Sequence, residues 1–234
     1  MTVAAVIVVV DAGAAVADAD GVPGVRRIVD AAWSGGAVPI VLVGSDAGGI
    51  VAAALAGAPV TLADAAASAA AGRSSAVLRG IETARDLVAD TDGWLIWPAD
   101  MVWVGPETVT SLIETHGTTP AAVLRPTFEG VAGWPLLLPA AALESLRVLG
   151  RDASGPGGDA GLDDLTAGRL FGDAGPRELD LGDPGATHDR RTPHASLPPY
   201  LGPPEPTAGH VHEWGAAVAD ADDDEPVGGP ARAR

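Results

Sequence analysis

The residue best placed to do chemistry is Asp100. It lies in GWLIWPADMVWVGPETVTSLIETHG, residues 93–117, just after a run of bulky apolar residues closed by Pro98. Trp94 to Trp97 shows no alternation, which predicts a strand buried on both faces of a sheet. Pro98 cannot continue a central strand, so Asp100 falls at the strand's exit. Gly105 and Pro106 then open a helix, with Glu107 at the positive end of its dipole and Val109, Leu112 and Ile113 on one face; Gly117 is the expected stop. Open α/β sheets bind ligands outside the carboxyl ends of their strands. An acid there is a candidate metal ligand, because hard carboxylate oxygens suit small divalent cations; the simpler role is to cap a turn.

Other polar groups offer weaker patterns. His188 and His194 flank Asp189, but their spacing is not a tight ligand pattern. Arg26 and Arg27 stand at the start of a helix, either reaching back to a ligand or facing solvent. Arg79 can pair with Glu82 or face a ligand. Trp94, Trp97 and Trp103 read as core or pocket wall, since large rings are recruited first for burial.

These residues need a scaffold, and its elements alternate. Val3 to Val10 predicts a first buried strand and Val25 to Trp33 a helix, ended by Gly35 and Gly36. Pro39 to Val43 and Pro59 to Leu62 follow as strands around a short alanine-rich helix. Ser74 is the expected cap of a helix carrying Val77, Leu78, Ile81, Ala84 and Val88 at helical spacing. Beyond the central strand come strands at Ala121 to Leu124 and within FEGVAGWPLLLP, and a helix from Ala140 to Leu149. A glycine-rich loop in GRDASGPGGDAG, a helix from Leu162 to Phe171 and a last strand at Glu178 to Leu181 complete the pattern. This order predicts an α/β fold with a mostly parallel sheet and right-handed crossovers.

The chain has 234 residues, no cysteine and no lysine, and a formal net charge of −17. Thiolate metal sites and disulfides are excluded, and so much negative charge argues against nucleic acid or an anionic membrane as the main partner. The opening MTVAAVIVVV is too short to span a bilayer and lacks a basic leader, so a cytoplasmic protein is expected. We expect a domain over residues 1–194 and a proline-rich, acidic tail over 195–234 whose composition does not support a core.

Four segments carry a family resemblance. PADMVWVGPETV is similar to the acidic-loop motif of MobA-like NTP transferases, the molybdenum-cofactor nucleotidyltransferases and cytidylyltransferases. AAGRSSAVLRGIETA resembles their substrate-contacting helix start. RPTFEGVAGWPLLLP and DPGATHDRRTP resemble their glycine-bearing loop and the closing segment with a second metal-binding acid. The resemblance spans residues 1 to 194 and implies a three-layer α/β/α fold, Rossmann-like, of the nucleotide-diphospho-sugar-transferase type. It implies Mg²⁺-dependent transfer of a nucleoside monophosphate from CTP or GTP to a phosphorylated acceptor such as a molybdenum cofactor, with a molybdoenzyme under maturation as protein partner. Carried over by position, Asp100 and Asp189 become the catalytic metal ligands, and Gly13, Ser75, Arg79 and Trp134 contact nucleotide or substrate.

The same comparison marks departures. The family grips its triphosphate with Ser, Arg, Gly and Lys after a first-loop turn. Here Val10, Asp11, Ala12 and Gly13 keep the turn, and no basic residue follows before Arg26. Asp11, Asp18 and Asp20 are expected to place negative charge where the triphosphate would lie, and two like charges about 4 Å apart repel by about 1 kcal/mol even in water. Trp134 stands where the family has His, either stacking on a base or filling the space. Arg191 replaces an acid or amide in the closing motif. Two further readings therefore stay open: an inactive member serving as a nucleotide-binding or assembly module, and a sugar-nucleotide-binding, glycosyltransferase-like domain.

Overall fold

The computed structural model describes residues 1–46, 48–64, 73–152 and 175–203. The glycine-rich loop from residue 153, the helix expected from Leu162 to Phe171 and the tail from residue 204 lie outside the described residues. Within them, eight strands form one sheet: β1 (Val3–Val9), β2 (Ile40–Gly44), β3 (Thr61–Asp64), β4 (Gly93–Pro98), β5 (Leu124–Phe128), β6 (Val131–Ala132), β7 (Leu136–Pro139) and β8 (Arg177–Asp180). Their order is β3-β2-β1-β4-β7-β5-β6, with β8 paired to β5.

The left half, β3-β2-β1-β4, is wholly parallel. Its centre is β1 beside β4, in which every residue is buried. That is why both read as unbroken apolar runs: neither face meets water, so nothing selects for alternation. β7 enters antiparallel to β4, and β5 antiparallel to β7, so β5 and its parallel neighbour β8 point the same way as β1 and β4. Consequently the carboxyl ends of β1, β4, β5 and β8, and the amino end of β7, share one edge.

Among the described residues, six α-helices connect the strands: α1 (Ala12–Ala15), α2 (Gly24–Ser34), α3 (Ile50–Ala54), α4 (Arg73–Leu87), α5 (Pro106–Thr118) and α6 (Leu143–Asp152). α2 packs against α5, and α4 against α6, β1 and β2. α2 shows the apolar stripe that packing requires, burying Val25, Ile28, Val29 and Ala32. No helix among the described residues is long and apolar enough to cross a membrane.

Some boundaries differ from expectation. α4 begins at Arg73, so Ser74 falls inside its first turn, and α5 runs through Gly117 to Thr118, where Thr119 ends it. The strand expected at Ala121 to Leu124 is β5, starting at Leu124; residues before it form a turn closed by Ala122 N–H to Thr119 O. Arg125, Pro126 and Thr127 conceal β5 in the sequence, because its partners β7 and β8 tolerate polar residues and a proline there.

At the opposite edge, α5 carries a fully buried histidine, His116, whose two ring nitrogens lack a hydrogen-bond partner among the described residues. Burial holds its pKa below the ordinary histidine value, opposed by the neighbouring Asp92. Between that lowered pKa and about 6.5 the unfolded chain takes up a proton that the folded chain refuses, so stability falls as pH falls through this window. His116→Leu removes the proton site and two orphaned nitrogens, each costing about 1–3 kcal/mol when unpaired. Denaturant unfolding at pH 7.5 and pH 5.5 should show the variant gaining on the wild type at the lower pH. Equal differences at both values would refute this.

Candidate functional site

The shared edge is built around a turn that the core itself fixes. Ala99 N–H donates to Val8 O at 3.0 Å, Met101 N–H donates to Pro98 O at 3.1 Å, and the buried Trp97 Nε1 donates to Met101 O at 2.9 Å. Three bonds, one from an indole that cannot move, thus hold the tip where Asp100 stands. Its side chain is exposed and makes no hydrogen bond among the described residues. It is an exposed carboxylate on a rigid mount.

The closing segment is laid across the same edge. Asp183 is buried at 3% exposure, and its carboxylate accepts from Gly105 N–H at 3.0 Å, Thr108 Oγ1 at 2.6 Å and Gly185 N–H at 2.8 Å. One carboxylate therefore caps both α5 and the 3₁₀ turn Pro184–Ala186. Trp134 N–H donates to Ala186 O at 2.8 Å, and Trp103 Nε1 donates to the carbonyls of Asp189 and Thr192, at 3.2 and 3.0 Å. Arg190 N–H then donates to Asp100 O at 2.8 Å. Asp189 and Asp100 are in this way set side by side by main-chain bonds, 89 residues apart in sequence.

They line one cleft of about 690 Å³. Asp11, Arg125, Trp134, His188 and the Arg190–Arg191 pair share its walls. Among the described residues, three acids and three arginines thus line it. Asp189 is held by Arg191, whose guanidinium and backbone N–H hold its pKa below the usual carboxylate range, so it is ionised at neutral pH. Arg125 Nε donates to Gly133 O at 3.1 Å. Arg190 offers its side chain to the cleft without a hydrogen bond among the described residues.

Of the residues singled out in the sequence, Asp100, Asp189 and Trp134 meet here. Gly13, Ser75 and Arg79 are not on the cleft wall. Gly13 lies in α1, Ser75 in the first turn of α4, and Arg79 is exposed one turn further on. Of the three first-loop acids, only Asp11 reaches the cleft, where it also caps α1 by accepting from Ala14 N–H at 3.0 Å. Asp18 accepts from Gly21 N–H at 3.3 Å, and Asp20 pairs with His194 at 3.0 Å. The negative charge at this position is one carboxylate rather than three. Arg26 pairs with Asp30, and Arg27 lies 5.1 Å from the centre of the Trp103 ring, so neither lines the cleft.

The histidines do not assemble a metal triad. His188 Nδ1 donates to Pro184 O at 2.7 Å, and His194 stacks on Trp103 with ring centres 4.9 Å apart. Among the described residues, no group of three or more His, Asp or Glu converges on a metal position. Two neighbouring carboxylates do fit Mg²⁺, which keeps waters and takes one or two carboxylates plus substrate phosphates in preference to an all-protein cage. Residues missed in the sequence were Arg125, hidden in an irregular strand, and Asp183. The Asp-Pro-Gly signature of a capped turn marks the latter.

The sequence model of the MobA-like NTP transferase domain matches residues 14–166. No curated protein matches the chain. Among solved structures, the manganese complex of Rv0371c from Mycobacterium tuberculosis is 18% identical, with a TM-score of 0.55 over 77% of this chain and 89% of that one. The 2-C-methyl-D-erythritol 4-phosphate cytidylyltransferase of Thermus thermophilus is 15% identical, with a TM-score of 0.55 over 80% and 94%. CMP:2-keto-3-deoxy-manno-octonic acid synthetase complexed with CTP is 13% identical, with a TM-score of 0.56 over 77% and 90%. At these identities the likeness is one of fold: a mixed, mostly parallel sheet flanked by helices, as in nucleotidyltransferases.

Proposed function

The chain belongs to the MobA-like NTP transferase family, and on that premise we propose that its cleft transfers a nucleoside monophosphate from CTP or GTP to a phosphorylated acceptor such as a molybdenum cofactor. An acceptor phosphate oxygen attacks the α-phosphorus as the bond to the β,γ-pyrophosphate breaks, and pyrophosphate leaves. The observation carrying this reading is the bond from Arg190 N–H to Asp100 O, which puts Asp100 and Asp189 on one cleft. Asp100 and Asp189 would hold Mg²⁺, which would supply positive charge against the negative charge building up in the transition state.

The chain's own residues do the rest. Trp97 and the turn bonds keep Asp100 from shifting as the charge beside it changes, the preorganisation on which electrostatic catalysis depends. Trp134, buried against the closing segment, presents an apolar wall suited to a base. Arg125, Arg190 and Arg191 supply the positive charge for phosphates. Nucleotide contacts from Gly13, Ser75 and Arg79 rest on the family resemblance alone. The CTP-complexed synthetase and the cytidylyltransferase support CTP ahead of GTP, and the manganese complex supports a divalent cation. Delivery of the product to a molybdoenzyme in the cytoplasm belongs to the same proposal.

A specific observation favours a second reading, a module that binds nucleotide without transferring it. Asp11 lines the cleft at the loop where relatives grip the triphosphate. Calorimetric titration with CTP and GTP, with and without Mg²⁺, tests the first reading when combined with an assay for pyrophosphate release. Mg²⁺-dependent binding with release supports transfer; binding without release over a range of phosphorylated acceptors supports the module. No binding of either nucleotide at millimolar concentration would overturn both.

A further inference from the structure

Arg191 is an exposed side chain doing the work of a bound cation. Its side chain is 82% exposed, whereas the Asp189 side chain it holds is 18% exposed. Nε donates to Asp189 Oδ2 at 2.8 Å, a terminal nitrogen binds the same oxygen, and the Arg191 backbone N–H donates to Oδ1 at 2.9 Å. The charge of Asp100 adds to the attraction. Arg191 is thus paired with Asp189, and Asp100 acts on it through space alone.

Two facts make this pairing exchangeable. The backbone of Asp189 is held by Trp103 Nε1, independently of the Arg191 side chain. An exposed ion pair is weak, because solvent screens it and two side chains must be ordered to make it. A doubly charged cation at Asp189 repels the guanidinium held there and weakens its hold on the carboxylate. The departing Arg191 does not leave the cleft, since it is anchored in its wall beside Arg190. The first loop offers no basic residue before Arg26 and adds Asp11 to the cleft, so polyphosphate charge falls to Arg125 of β5 and to Arg190 and Arg191 of the closing segment.

Resting on the nucleotide reading above, we propose that Arg191 is an exchangeable internal cation. It holds the Asp189 carboxylate in the metal-free protein, yields it to the divalent cation, and turns to the phosphates of the metal-bound nucleotide. The closing segment thereby supplies both a metal ligand and the phosphate grip absent from the first loop.

Arg191→Gln separates this role from a structural one, because its two effects have opposite signs. Mn²⁺ alone, followed by loss of its free paramagnetic signal, should bind the variant about threefold more tightly, as a competitor for Asp189 is gone. Inorganic tripolyphosphate, titrated calorimetrically in saturating Mg²⁺, should bind it about tenfold more weakly. Unchanged or weaker Mn²⁺ binding overturns the exchange, and so does unchanged or absent tripolyphosphate binding. Asp100→Asn, run alongside, identifies which step has failed. If Asp100→Asn loses Mn²⁺ while Arg191→Gln binds it as the wild type does, the metal site stands and the exchange is overturned. If Asp100→Asn binds Mn²⁺ as the wild type does, the two-carboxylate site fails and takes the exchange with it.

Discussion

Asp100→Ala should abolish metal-dependent nucleotide binding while leaving the fold intact. The Asp100 side chain makes no hydrogen bond among the described residues, and its main chain is held by Val8, Trp97 and Arg190 through groups that alanine retains. Its replacement should change stability by no more than about 0.5 kcal/mol, as for surface sites generally. The effect on ligand is of another order. Loss of an outer-shell partner alone commonly costs about 10–100-fold in metal affinity, so a direct ligand should cost at least about 100-fold. Calorimetry with CTP in Mg²⁺ reads the loss, and a thermal melt of the same sample reads the fold. If affinity stayed within about threefold, Asp100 would be a turn residue and no more. If the melt fell sharply as well, the binding loss would say nothing about metal.

That the two properties separate so cleanly reflects how the site was legible. Asp100 was visible because a run buried on both faces, a proline and an acid make a sharp boundary: the core strand needs apolar residues and its exit does not. β1 and β4 were visible for the same reason. β5 was not, since Arg125, Pro126 and Thr127 serve its partners and the cleft instead of a uniform core face. The first-loop acids were misjudged as a group because their side chains turn to local partners that spacing does not encode: Asp18 to Gly21, Asp20 to His194 across 174 residues. Arg191 was visible only as a departure from a pattern. That it closes back on Asp189 depends on a turn two residues long, geometry that residue types alone do not specify. Trp103, read as core or wall, is part-buried, and its indole N–H positions the closing segment.

Asp183→Ala should be the most damaging single change to the fold at this edge, although Asp183 never touches the cleft. Its carboxylate satisfies three donors from two elements: Gly105 N–H at the start of α5, the Thr108 hydroxyl, and Gly185 N–H in the closing segment. Alanine leaves these buried groups without their acceptor, and the loss of one partner from a buried polar cluster commonly costs about 3–5 kcal/mol. For a chain of this size that lowers Tm by roughly 6–20 °C, at about 2–4 °C per kcal/mol. Gly185→Ala attacks the same junction differently, because a methyl at that position would run into the Trp103 carbonyl and the Val104 amide, which are main-chain atoms with no room to yield. Both changes should also weaken metal-dependent binding, since the segment they loosen carries Asp189. Asp183→Asn keeps one carbonyl acceptor and should fall between alanine and wild type. Thermal melts of the three variants check the order; Asp183→Ala melting within about 2 °C of wild type would show that the closing segment is held by Trp103 and Trp134 alone.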